Sequence, residues 1–391
     1  MQKLSLGLLM FLALQVAAQS DHLYFAGGDG PGKGKHVVLL AGDEEYRSEE
    51  AMPLMAQILT KQGFECTVLF SMNGDVVDPN AGGSLSNPAA LDSADAIVMS
   101  LRFRHWDDAA MQKFDDALNR GVPMIALRTS THAFNGLKGK WAKYNYNANA
   151  DSGWEKGFGR QVLGETWINH HGHHKKEGCR GIVEKGAEGH AVFTGVGEIF
   201  GDTDVYGANP PADVKILLRG QVTQTLDPKS AAVAGKKNSP MMPIAWTRIW
   251  KKNRIFTTTM GSSTDLADAD LRRLIANATF WALGMDIPKE IDVAAPGFKP
   301  SNYSFGGFRK NQKPSDFLLA ALSQPSAAAP IVATAAPEQL TLKKGSRIAL
   351  VGNGLASRMV HFGHFETIMQ VQNPDKELFI RNLGDEGNTP S

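Results

Sequence analysis

The sequence predicts an α/β fold built on a doubly wound parallel sheet. Three observations carry this. Short β-branched apolar runs recur through the first half of the chain, amphipathic stretches of helical period lie between them, and turn residues separate the two. Strands alternating with helices form βαβ units, and the crossover helices cover both faces of a parallel sheet. The apolar fraction, 42% of 391 residues, gives such a sheet ample core.

Residues 36–41 (HVVLLA) read as a first buried strand. Ser48 opens a helix with Leu54, Met55, Ile58 and Leu59 on one face; Pro53 is tolerated near its start and Gly63 ends it. Residues 66–70 and 95–100 are the second and third strands. Asp107 or Asp108 caps a helix whose stripe is Met111, Phe114 and Leu118, stopped by Gly121, and residues 122–127 (VPMIAL) form the fourth strand. Residues 135–235 are irregular and supply loops and some antiparallel strands. Residues 244–250 and 254–259 form a strand pair, followed by a helix with Leu271, Leu274, Ile275 and Ala278 on one face and Gly284 as its stop. Residues 288–320 are rich in Pro and Gly and read as an irregular surface extension. Residues 321–341 are an Ala/Pro linker, and 342–391 begin a second domain. Residues 21–35, Gly-rich, read as a flexible leader.

Residues 1–20 combine Lys3, a mostly apolar run over 4–16 and small residues at Ala17, Ala18 and Ser20. This is the pattern of a secretory signal peptide, too short for a membrane span, and it implies an exported protein with no membrane attachment after cleavage. Lys+Arg 41 against Asp+Glu 40 excludes an obvious polyanion binder, so no nucleic-acid partner is expected. Two cysteines exclude a Cys-rich metal cluster or a disulfide-dense scaffold; Cys66 and Cys179 could pair after export or remain buried thiols. The oligomeric state is left open.

Ligands of doubly wound sheets gather at the carboxyl ends of the strands. Three polar clusters follow strands here: Asp43, Glu44, Glu45 and Tyr46; Arg102 and Arg104; and Arg128, Thr129, Ser130 and His132. Carboxylates, guanidinium groups, hydroxyls and an aromatic suit a small polyhydroxylated ligand, a carbohydrate. The alternative is a structural network of ion pairs. Four histidines in residues 170–174 (HHGHH) could hold a divalent metal, the one cofactor the sequence suggests, through His171, His173 and His174, or form a solvated polar loop. Asp204 and Tyr206 belong to a further polar group that could flank the same crevice.

The stretches AGDEEYRSEE (41–50), SLRFRHW (100–106), ALRTSTHAF (126–134), GHAVFTGVGEIFGDTDVYG (189–207), TTTMGSSTDL (257–266) and NATFWALGM (277–285) together resemble the ThuA-like, or trehalose-utilization, family over residues 36–287. The resemblance implies a flavodoxin-like, class I glutamine amidotransferase-like fold and a sugar or oxidised (keto) disaccharide as ligand. In glutamine amidotransferases the elbow after the corresponding strand carries a nucleophilic Cys. Arg128 stands there in this chain, and Ser262 stands near the place of the catalytic His, so thiol-based amide hydrolysis is excluded. Residues 347–359 and 381–389 resemble the first two blocks of an SGNH (GDSL-type) hydrolase, with Gly354 where that family has its Ser, which implies a truncated and catalytically silent piece.

Three functions are compatible with these residues. The first is a carbohydrate-active hydrolase or lyase, with Glu44, Glu45 and His132 in acid–base roles and Asp43, Tyr46, Arg102, Arg104, Arg128, Thr129, Ser130, Asp204 and Tyr206 binding substrate. The second is a sugar-binding or scaffold module without turnover. The third is a metal-dependent hydrolase built on the His tract.

Overall fold

The computed structural model describes residues 21–319, 342–350 and 364–382. The chain divides into two compact units, residues 1–326 and 327–391. In the first, the strands in chain order are β1 (His22–Phe25), β2 (His36–Gly42), β3 (Glu65–Phe70), the two-residue pair β4 (Met72–Asn73) and β5 (Val76–Val77), β6 (Ala96–Leu101), β7 (Met124–Leu127), β8 (Cys179–Val183), β9 (Ile199–Gly201), β10 (Lys215–Val222), β11 (Met242–Trp250) and β12 (Asn253–Thr258). Ten of them form one sheet in the order β1-β3-β2-β6-β7-β12-β11-β10-β8-β9. The five central strands from β3 to β12 run parallel, and antiparallel strands extend the sheet at both edges.

Side chains of the parallel strands alternate between two cores, as a pleated sheet buried on both faces requires. Val37, Leu39, Val98, Ile125 and Leu127 pack on the side of α1 (Ser48–Lys61) and α3 (Ala269–Ala282). Val38, Leu40, Ile97, Met99, Met124 and Ala126 pack with α2 (Asp108–Arg120) and the rings of Trp106, Phe114, Phe134, Tyr144 and Phe158. Asp107 caps α2, its carboxylate accepting from Ala110 N at 2.8 Å, and Gly121 closes the helix at φ 95°. Ser48 does not cap α1: its hydroxyl accepts from Asp43 N at 2.9 Å, and Arg47 takes the cap position at φ 59°.

Two expectations change. Residues 22–25, read as part of a flexible leader, form an edge strand antiparallel to β3, because Leu23 can be buried against the core. The 288–319 segment is irregular but docked, with Ile291, Val293, Tyr303, Phe308 and Phe317 buried. Cys66 and Cys179 are free, buried thiols. In the second unit, strands over Arg347–Leu350 and Phe379–Asn382 pair in parallel beside a helix over His364–Gln372. The expected signal peptide over residues 1–20, the expected linker over residues 321–341 and Gly354 lie outside the described residues. No helix among the described residues is long and apolar enough to cross a membrane.

Candidate active site

The strand order reverses between β2 and β6: β3 lies on one side of β2 and β6 and β7 follow on the other. At such a switch point the loops at the carboxyl ends part and leave a crevice. The loops after β2, β6 and β7 carry the three polar clusters, and each contains a non-glycine residue at positive φ: Arg47 (59°), Phe103 (53°) and Arg128 (42°). Strained backbone of this kind persists where surrounding structure over-determines it.

The floor is built around Arg128. Its guanidinium is fully buried, donates to the carbonyls of Asp204 (2.7 Å) and Thr259 (2.8 Å), and pairs with the Asp204 carboxylate at 3.0 Å. Its carbon lies 3.8 Å from the Tyr206 ring centre and 4.7 Å from that of Tyr46, so the cation sits between two aromatic faces. Asp204 also accepts from His170 Nδ1 at 2.7 Å and His174 Nδ1 at 3.0 Å. Burial would raise the Asp204 carboxyl, but the Arg128 charge and both imidazole hydrogen bonds hold it well below the usual carboxylate range. On its other edge His174 places Nε2 3.2 Å from Glu45 Oε1. Hydrogen bonds to Asp204 and then to Glu45 push His174 up to about 9, so it is an imidazolium at neutral pH.

These partners meet because residues 169–172 run antiparallel to residues 205–207. His170 bridges to Tyr206, and His171 N and Gly172 N both donate to the Val205 carbonyl at 2.9 Å. A Cβ at Gly172 would stand 3.1 Å from Asp204 Cβ, so glycine is what lets the two segments close. The expected metal trio is not assembled. His171 hydrogen-bonds the Lys237 carbonyl at 2.8 Å and His173 is exposed; it is His170 that shares Asp204 with His174. Donor atoms of His170, His174 and Asp204 lie within 4.8 Å of one another, close enough to hold a cation. A dication there would displace the His174 proton and sit against the Arg128 charge. Asp204 already accepts from Arg128, His170 and His174, and both His174 nitrogens are paired, so the arrangement suits proton handling.

Of the remaining expected residues, Glu44, Glu45 and Arg102 reach the crevice. Glu44 bridges Arg102 and Arg104, accepting from Arg104 Nη2 at 2.9 Å. Burial and the Asp43 charge push its carboxyl up against the pull of both guanidiniums. The rest are structural supports. Asp43 accepts from Glu45 N, Tyr46 N and the Thr129 hydroxyl. Ser130 Oγ donates to Met99 O at 3.0 Å and accepts from Leu101 N, stitching β7 to β6. His132 is 3% exposed, enclosed by the rings of Phe103, Tyr146, Trp167 and Tyr206. Burial and the charges of Arg102, Arg128 and His170 hold its pKa well below the ordinary value. Thus Arg128, Thr129, Ser130 and His132, expected to touch a ligand, lie beneath the crevice, and the imidazoles open to it are those of His174 and His170, 27% and 40% exposed.

Sequence reasoning missed the rim. Trp167 contacts His132 and His170, ring centres 5.6 and 5.8 Å apart. Tyr303, from the docked extension, stacks on Tyr46 at 5.1 Å and lies 5.6 Å from His174. An aromatic cluster in a segment without periodicity gives no sequence signal for where it docks.

The family model for ThuA, described as trehalose utilisation, matches residues 36–282. No curated protein matches the sequence. Similar solved structures include a ThuA-like protein from Parabacteroides merdae, 12% identical over 70% of this chain and 98% of that one, with a TM-score of 0.43. Another, from Bacteroides uniformis, is 15% identical over 66% of this chain and 94% of that one, with a TM-score of 0.42.

Proposed function

The chain belongs to the ThuA, or trehalose-utilisation, family, and from that premise we propose that its crevice binds a sugar or an oxidised (keto) disaccharide and breaks its glycosidic bond by general acid–base catalysis. The observation that carries the reading is the chain Glu45–His174–Asp204–Arg128, which holds an imidazolium between two carboxylates at the floor of an aromatic-rimmed crevice. Sugars offer hydroxyl edges and apolar faces, which suit Arg102 with Glu44 and the Trp167 ring respectively. In a keto sugar the proton on the carbon next to the carbonyl is acidic. Glu45 takes that proton, the electron pair forms a C=C bond, the glycosidic C–O bond breaks, and His174 gives its proton to the departing oxygen. Asp204, fixed by Arg128, orients His174. The leader at residues 1–20 supports export of the protein, and the crevice would then meet its sugar outside the cytoplasm.

The test is release of glucose from 3-keto-trehalose by the full-length protein, with trehalose, which lacks the acidic proton, staying intact as the control. Turnover should fall as pH rises through about 9, where His174 loses its proton. His174→Gln should lower kcat by ~100-fold, the usual size of an acid–base contribution. A rate that survives His174→Gln overturns the acid–base reading. A rate abolished by a chelator and restored by a divalent metal would transfer the chemistry to a cation. Saturable binding without turnover would make the chain a sugar-binding module.

A further inference from the structure

Residues 301–308 form a strap that reaches the crevice from the docked extension. Ser301 is fixed by Glu50, through its amide at 2.8 Å and its hydroxyl at 2.7 Å. Tyr303 is buried against Tyr46, and its hydroxyl donates to Asp202 O at 3.1 Å. The Ser304 carbonyl accepts from Arg47 Nη2 at 2.9 Å, and Phe308 is buried. Between these anchors the chain turns at Gly306 (φ 66°) and Gly307, whose amide donates to Ser304 O at 3.2 Å. Phe305 sits on that turn with 63% of its surface exposed, the one outward ring on a strap pinned on both sides. It lies 4.9 Å from the Arg102 guanidinium carbon, whose distance to the Phe103 ring is 4.4 Å. Arg102 in turn is held by Glu44 and approaches Glu45 at 3.9 Å. This solvent-facing ring, one residue from the acid–base pair, packs on the Arg102 guanidinium and leaves most of its surface open.

We propose that Phe305 is the stacking platform of a second sugar subsite, so that the crevice takes a disaccharide in preference to a monosaccharide. The inference rests on the carbohydrate reading of the same crevice. An aromatic face covers the apolar face of a pyranose, and Arg102 beside it offers N–H donors to the ring hydroxyls. One sugar ring then lies over Glu45 and His174 and the other over Phe305. Calorimetric titration of the full-length protein with glucose and with trehalose tests this. The parent should bind trehalose roughly tenfold more tightly than glucose, the size of one stacking contact. Phe305→Ala should erase that ratio and leave glucose affinity unchanged, and Phe305→Trp should keep it. A trehalose preference that survives Phe305→Ala overturns the subsite while leaving the carbohydrate reading in place. Equal affinity of the parent for the two sugars has the same meaning. Failure of the parent to bind either sugar overturns the subsite, and failure to bind 3-keto-trehalose as well overturns both.

Discussion

Replacing Arg128 by Met separates a structural floor from a ligand grip. Met nearly conserves volume and apolar contact with the Tyr46 and Tyr206 rings, so the change isolates the charge. The losses are the buried pair with Asp204 at 3.0 Å, the donors to the Asp204 and Thr259 carbonyls, the weak bond to the Tyr46 hydroxyl at 3.3 Å, and the charge over the two rings. Removing one partner of a buried pair costs ~3–5 kcal/mol. The lower end applies, because His170 and His174 still hydrogen-bond Asp204. The two carbonyls add ~1 kcal/mol each at most. A loss of ~4 kcal/mol in a unit of this size lowers Tm by roughly 8 °C. Scanning calorimetry of the full-length protein at pH 7 reads this directly. A Tm within ~2 °C of the parent would refute the reasoning and return Arg128 to a ligand-facing role.

Asp204→Asn should lower the His174 pKa by ~1 unit or more, since its first hydrogen-bonded carboxylate becomes a neutral amide; NMR titration of the ring resonances shows it, and an unchanged value would contradict the network. Ser130→Ala should cost ~1–2 kcal/mol in urea unfolding through the lost β6–β7 stitch and leave sugar binding unchanged; lost binding at full stability would place Ser130 in the crevice. Glu49, fully buried beside Arg47 at 3.6 Å, is pushed up to about 7 by burial, above its unfolded value near 4.5. The folded state therefore holds a proton that the unfolded chain releases, and stability falls as pH rises from about 4.5 through about 7. Glu49→Gln should be more stable than the parent at pH 8, by ~2 kcal/mol, and similar to it at pH 4; equal stability at pH 8 would show that Arg47 compensates the charge.

The parallel core was legible because its residues obey local rules. Residues 37–41 are an unbroken apolar run and lie in β2, buried on both faces; Asp107 and Gly121 delimit α2 as cap and stop. The three polar clusters were legible as strand-end residues once a doubly wound sheet was expected, and they converge at the switch point. What each side chain does there was not. Ser130 and Thr129 spend their hydroxyls on Met99 O and Asp43, partners distant in sequence. The His170–Asp204 and His174–Asp204 pairs depend on an antiparallel bridge between segments more than thirty residues apart, and no spacing within HHGHH encodes it. Tyr303 and Phe305 come from a segment with no hydrophobic period, so their place beside Arg102 and His174 is a tertiary fact.

The central claim is that a sugar enters the crevice over the Glu45–His174 pair. Its most direct test is a proton–nitrogen spectrum of the histidine side chains, recorded on the full-length protein while 3-keto-trehalose is added. The account requires saturable shifts of the His174 and His170 resonances, weakened when Trp167 is replaced by Ala, and little change at the exposed His173. Shifts absent at His174 while the sugar binds elsewhere, or absent altogether, would contradict it.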